Sequence, residues 1–323
     1  MKKVFFYLML LVAMSSCYDD YIKDFDYSSI YFPYQTDVRT FVVGEGMKIE
    51  IGAALGGVNE NRKDRVVNYT LDNTLITSDI LTMMKNGIGY VKSSVSSVSE
   101  LKPLPLDYYS LSDNTKMVIK AGAHSGTVTM KIDSAKFLSD PATLNAGYVL
   151  PFYITSADAD TVLEPKRYAV IGVKYENMLF GNYWHGGVTT VKDPSGNVVK
   201  TIKYYTTIPS PENKIWTLKT VASDALVTNG YSDQTTSKNE MKLTLSGSKI
   251  TVSTNAGSTF AVNADGESSY NSAKLLQNRK IILSYKYFDA SGNTCYAQDT
   301  LTFRNRIRDG VNEWQDENPA NYK

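Results

Sequence analysis

The sequence predicts an all-β protein built from two antiparallel β-domains, a sandwich followed by a barrel or second sandwich. Three observations carry this. Short stretches of alternating apolar residues recur along the chain with turn residues between them. Tyrosine is abundant, at 23 residues, and Thr, Val and Ile accompany it, a composition that favours strands. Convincing helical spacing is confined to one short stretch, Thr77 to Lys85.

The chain opens with Lys2 and Lys3, an apolar run from Val4 to Ala13, and the small residues Ser15 and Ser16. This is the pattern of a secretion signal, and its apolar core is too short to span a bilayer. Met14-Ser15-Ser16-Cys17 resembles the lipobox of bacterial lipoproteins. That resemblance implies a signal peptide over 1–16 and lipidation of Cys17. An ordinary secretory signal cut nearby is the alternative. Asp19, Asp20, Asp24 and Asp26 follow. They resemble the acidic signal that sends Bacteroidetes lipoproteins to the outward face of the outer membrane. Residues 17–27 are accordingly expected to form an acidic tether.

Composition bounds the rest. Of the 323 residues, those left after the signal suffice for two domains. The net charge of +1 gives no reason to expect a nucleic-acid partner. With Cys17 lipidated, Cys295 is the one remaining thiol, which excludes an intramolecular disulfide and a cysteine-based zinc site. No later apolar run approaches the roughly 20 residues a spanning helix needs.

In the first half, Ser29 to Tyr34, Thr40 to Val43, Met47 to Ala53 and Arg65 to Leu71 read as strands. Met47, Ile49 and Ile51 share one face of the third, and Gly44-Glu45-Gly46 turns into it. Thr77 or Ser78 can cap the helix that follows, and Gly87 can end it. Further strands are expected at Tyr108 to Leu111, Met117 to Lys120, Thr127 to Asp133, Gly147 to Thr155 and Arg167 to Tyr175. Ser125-Gly126-Thr127-Val128, Gly147 to Phe152, the Ile154 to Ala157 turn and Tyr168 to Val173 together resemble an immunoglobulin-like N-terminal domain. It is widespread in Bacteroidetes surface lipoproteins of polysaccharide-utilisation loci. The resemblance covers about residues 28–176 and implies a spacer or binding module without catalytic residues.

The second domain, 177–323, opens at Gly181-Asn182-Tyr183-Trp184. Asp193 to Asn197, Ser246 to Ser248 and Asp289 to Asn293 mark three hairpin turns in a meander. The opening and the meander are similar to lipocalin-like barrels. Asp299 to Phe303 followed by Arg304 to Gly310 looks like the companion C-terminal domain of the same lipoproteins. The combined pattern resembles accessory surface lipoproteins that are SusE-like in role. That implies glycan binding beside an outer-membrane importer.

Enzyme signatures are scarce. The two histidines, His124 and His185, lie far apart in sequence, and neither a nucleophile elbow nor a phosphate-binding loop is visible. Asp158, Asp160 and Glu164 lack the spacing of a hydrolase motif, and Asn263, Asp265 and Glu267 lack that of a calcium loop. No metal, no cofactor and no catalysis are therefore expected. Sugar rings pack their C–H faces on flat aromatics, so the candidate glycan contacts are Trp314, Tyr231, Trp216, Trp184, Tyr205 and Tyr270. Trp184 and Trp216 fall in strands, where core packing competes with that role. Trp314 and Tyr231 fall in polar segments. The expected partners are a polysaccharide or oligosaccharide, the outer membrane through the lipid anchor, and an importer complex. A protein-binding adhesin or assembly subunit and an unrecognised glycoside hydrolase are the alternatives.

Overall fold

The computed structural model describes residues 26–204, 212–236 and 238–316. The expectations for the signal segment, Cys17 and Tyr205 lie outside the described residues. The chain divides into two compact units. One takes in the described residues up to Arg39, Lys48–Asp133 and Ala146–Val173; the other takes in Thr40–Met47, Ser134–Asn145 and the described residues from Lys174.

The first eleven strands are β1 (Asp26–Tyr31), β2 (Thr36–Val42), β3 (Lys48–Val58), β4 (Arg65–Leu71), β5 (Lys102–Pro103), β6 (Tyr109–Leu111), β7 (Lys116–Ile119), β8 (Ser125–Ile132), β9 (Tyr148–Ala157), β10 (Thr161–Val162) and β11 (Tyr168–Glu176). They form two sheets, β10-β1-β3-β8-β6 and β2-β11-β9-β4-β7, with β5 paired to β9. Period-2 alternation supplies the core: β3 buries Ile49, Ile51, Ala53 and Leu55, and β8 buries Val128, Met130 and Ile132. The strand β1 begins at Asp26, two residues ahead of the expected domain start.

Helix α1 (Ser78–Lys85) forms where expected. Thr77 Oγ1 accepts the Ile80 amide at 3.3 Å. Asp79 in the first turn and Lys85 in the last suit the helix dipole. Ile80, Leu81 and Met84 pack with Val38, Val149 and Val170. Two six-residue helices, α2 (Gly89–Ser94) and α3 (Ser134–Ser139), were not anticipated. Each buries one apolar side chain, Val91 or Phe137, which is too little to leave a period in the sequence.

The second unit is a barrel. Its strands are β12 (Gly181–Lys192), β13 (Val198–Tyr204), β14 (Lys214–Ala222), β15 (Ala225–Thr228), β16 (Gly230–Tyr231), β17 (Gln234–Thr235), β18 (Met241–Ser246), β19 (Lys249–Thr254), β20 (Val262–Ala264), β21 (Ser268–Tyr270), β22 (Lys280–Phe288), β23 (Thr294–Arg308) and β24 (Val311–Glu313). The order β12-β14-β15-β18-β19-β20-β22-β23 closes through β12–β23 pairing into eight strands. Closure decides between the barrel and sandwich that the meander left open, and it removes sheet edges. β13 and β14 share one edge of β12, the former against Gly187–Lys192 and the latter against Gly181–His185.

The interior holds Tyr183, Trp216, Leu218, Leu226, Leu243, Val252, Leu283, Leu301 and Phe303. Near the start of β12 the unit buries a charged group. Arg279 and Arg306 are each 1% exposed, and their counter-ion is Glu45, from the Thr40–Met47 segment. Burial pushes the Glu45 carboxyl up, but the Arg306 and Arg279 guanidiniums outweigh it and hold the carboxyl below its ordinary value.

Candidate functional site

Residues opposed across an antiparallel ladder share a face of the sheet. Along β12, β23 and β22 the register aligns His185 with Leu301 and Ile281, all buried, so the neighbouring rows point outward. The outward rows are Trp184–Thr302–Lys280, Gly186–Thr300–Ile282, Val188–Gln298–Ser284 and Thr190–Tyr296–Lys286. Trp184 and the partner of Tyr296, Thr190, lie six positions apart on β12, which is about 20 Å along the strand.

Each of these two rings carries a cation. The Arg304 guanidinium carbon is 4.9 Å from the Trp184 ring centroid, and Lys192 Nζ is 5.1 Å from that of Tyr296. Such pairs hold an aromatic in one orientation. Between the rings, Thr302, Thr300, Gln298 and Thr190 present hydroxyl and amide groups.

A row of polar side chains runs beside Trp184. Thr217 Oγ1 donates to Asn182 Oδ1 at 2.9 Å, Asn182 Nδ2 to Asn305 Oδ1 at 3.3 Å, and Asn305 Nδ2 to Asn312 Oδ1 at 2.7 Å. Arg304 Nη1 also donates to Asn305 Oδ1, at 3.3 Å. The row crosses β14, β12, β23 and β24.

The other sequence-derived candidates occupy different settings. Trp314 is 58% exposed, just beyond β24. Its neighbours fasten it: Glu313 pairs with Arg306 and Arg308, and the Asp316 amide donates to Gln277 Oε1 at 3.0 Å. Tyr231 is half-buried against Phe260 and Tyr287, with centroids 4.5 and 5.2 Å away. Tyr270 is half-buried, its hydroxyl 3.7 Å from Met178 Sδ. Trp216 is fully buried and stacks on His185. Since Trp216 pairs with inward Tyr183, Trp184 and Trp216 lie on opposite faces of one sheet.

Tyr296, Arg304, Asn182 and Asn305 were not singled out in the sequence. A tyrosine inside a strand reads as an ordinary sheet residue, and only the register shows which aromatics share its face. The acidic residues considered for catalysis are engaged in surface pairs: Asp158 with Lys63 at 2.9 Å, Asp160 with the Ser28 hydroxyl at 2.6 Å, and Glu164 with Arg167 at 2.5 Å. Asp265 pairs with Lys286 at 3.2 Å. His124 is exposed, whereas His185 is 2% exposed and lies inside the barrel.

The fold defines a class, a β-sandwich unit and a closed eight-stranded barrel on one chain. Residues 25–161 match a family model described as an N-terminal domain. No curated protein matches the chain. A solved Bacteroides ovatus protein of unknown function is 20% identical with a TM-score of 0.64, over 90% of this chain and 98% of that one. A second from that organism has 12% identity and a TM-score of 0.44, over 90% and 100% of the two chains. A third has 13% identity and a TM-score of 0.41, over 93% and 99%. The first of these likenesses shows a shared fold.

Proposed function

We propose that the protein is a non-catalytic glycan-binding lipoprotein of the outer-membrane surface, SusE-like in role, which captures a polysaccharide for an importer. The observation that supports glycan binding best is the pairing of Trp184 and Tyr296 on one outward barrel face, about 20 Å apart along the strand, with hydroxyl and amide side chains between them. Two braced aromatics with polar side chains between them suit an extended sugar chain: the rings take C–H faces while Thr, Gln and Asn bond hydroxyls. Arg304 and the amide row beside Trp184 add directional donors and acceptors.

Acyl chains on Cys17 would anchor the chain at about 0.8 kcal/mol per buried methylene. Dense display on a cell surface would then raise weak single-site affinity through multivalency. Affinity electrophoresis against plant and host polysaccharides tests the binding. Retention on one of them, reduced by Trp184→Ala and by Tyr296→Ala, is expected. Absence of retention on every polysaccharide would overturn the function, and unchanged retention in the double variant would overturn the site. Labelling with radioactive palmitate, lost in Cys17→Ala, tests the anchor.

A further inference from the structure

The barrel interior is apolar over most of its height but strongly polar at one level. His185 and Thr189 of β12, Tyr204 of β13, Trp216 of β14, Tyr285 of β22 and Asp299 of β23 meet there. All but Tyr204 are 2% exposed or less. The His185 imidazole lies on the Trp216 indole with centroids 4.0 Å and planes 12° apart, and it also stacks on Tyr204 at 5.0 Å. Asp299 Oδ2 accepts the Tyr285 hydroxyl at 2.6 Å, and Asp299 Oδ1 is 3.1 Å from His185 Nε2. Burial and the nearby Asp299 charge push the Tyr285 and Tyr204 hydroxyls well above the usual phenol range, so both remain neutral hydrogen-bonding groups. Gly187 gives the carboxylate its room. A Cβ there would stand 2.6 Å from Asp299 Oδ1 and 2.8 Å from the Tyr204 ring.

A short strap, β16 to β17, closes this level. Gly230 lies flat on the indole, where a Cβ would come within 2.2 Å of Trp216 ring atoms. Ser232 is fully buried, and its φ of +48° falls in the left-handed region that non-glycine residues disfavour. Its amide donates to the Tyr285 hydroxyl at 2.5 Å, and its Oγ lies 2.7 Å from Thr189 Oγ1. Thr189 Oγ1 is also 2.6 Å from the Tyr204 hydroxyl. Among the described residues, Trp216 Nε1 is buried with no hydrogen-bond partner.

Apolar side chains of equal volume would fill this space at less cost than a carboxylate, an imidazole, two phenols and an unbonded indole N–H. We propose that this level is a binding site for one polyhydroxylated ring, such as a monosaccharide or the end unit of a glycan, and that the Ser232 strap is its resting occupant. The Trp216 face that Gly230 now covers would take a sugar's C–H groups once the strap lifts. Asp299, Thr189, Tyr204 and Tyr285 take its hydroxyls, and a ring oxygen or hydroxyl would supply the acceptor that Trp216 Nε1 lacks. Ser232 Oγ now stands where a ligand hydroxyl would sit. Lifting the strap also relieves the left-handed backbone at Ser232. The site stands on its own contacts, since Trp184 of the outer face lies on the opposite side of β12 from His185.

The test titrates the full chain with D-glucose, D-galactose, D-mannose and N-acetyl-D-glucosamine, following the Trp216 indole N–H resonance and hydrogen exchange at 230–235. One of these sugars is expected to shift the resonance saturably and to speed exchange of the strap amides. Ser232→Ala removes the competing hydroxyl while keeping the disfavoured φ of the closed strap, raises the population of the open state, and should tighten binding about tenfold. Thr189→Val should weaken it. The proposal is overturned if none of the four sugars moves the Trp216 signal or the strap exchange. It is equally overturned if Ser232→Ala binds no tighter than the parent.

Discussion

Glu45 and Arg306 form a doubly hydrogen-bonded ion pair, with Oε1 to Nη1 at 2.8 Å and Oε2 to Nη2 at 2.7 Å. Both side chains are buried, at 6% and 1% exposure. Arg279 Nη2 donates to the same Glu45 Oε1 at 2.9 Å. Glu45 thus pairs with two buried guanidiniums, Arg306 having Glu313 as a second partner, and it comes from 261 positions earlier in the chain than Arg306.

Removing that carboxylate should strongly destabilise the barrel. Breaking a buried pair leaves uncompensated charge, which costs about 3–5 kcal/mol. Glu45→Ala should show that loss in urea unfolding followed by tryptophan fluorescence, since Trp216 reports the barrel core. A fragment starting at residue 174 lacks Glu45 and should be similarly impaired. A fragment as stable as the barrel in the full chain would contradict this assignment.

The same pair sets a pH dependence. Glu45 has its carboxyl depressed in the folded state, so the folded protein binds fewer protons there than the unfolded chain as pH falls. Its contribution is complete above the ordinary carboxyl value of 4.5 and is lost as pH drops below that value towards the folded-state one. Urea midpoints measured from pH 6 to pH 3 should therefore fall more steeply in the parent than in Glu45→Gln.

Gly230 makes a third prediction. A methyl group there would overlap the Trp216 ring, so Gly230→Ala must displace either the strap or the indole. Overpacking of this kind costs about 1–3 kcal/mol. The melting temperature should drop, and the Trp216 fluorescence maximum should shift to the red as the ring loses its cover.

Trp184 should behave differently. It is half-buried on the outward face and contributes mainly its contact with Arg304. Trp184→Ala should cost about 1 kcal/mol in thermal unfolding, within the ordinary range for a point change. Its larger effect should be on glycan retention.

The parts of this fold that were legible in the sequence are those governed by near neighbours. Asp193 Oδ1 accepts the Asn197 amide at 2.8 Å, and Asp289 Oδ1 accepts the Asn293 amide at 2.9 Å. Both hairpin turns were marked by their own residues. The cap of α1 by Thr77 is equally local. Closure of β12 on β23 is not, because alternation says that a strand has a buried face but not which strand lies beside it. For the same reason Trp184 could be chosen as a candidate while Tyr296 could not. Their shared face depends on a register that joins Thr190 to Tyr296. Glu45 sat in an expected turn, Gly44-Glu45-Gly46, where an acidic residue reads as solvated. Only the fold shows it buried between two arginines.

The most direct measurement of the central claim is affinity electrophoresis of the full chain against a panel of plant and host polysaccharides, with the Trp184→Ala, Tyr296→Ala double variant run beside the parent. Retardation of the parent by at least one polysaccharide, lost in a double variant that remains folded by circular dichroism, is the predicted result. A parent that migrates unretarded through every polysaccharide would contradict the account.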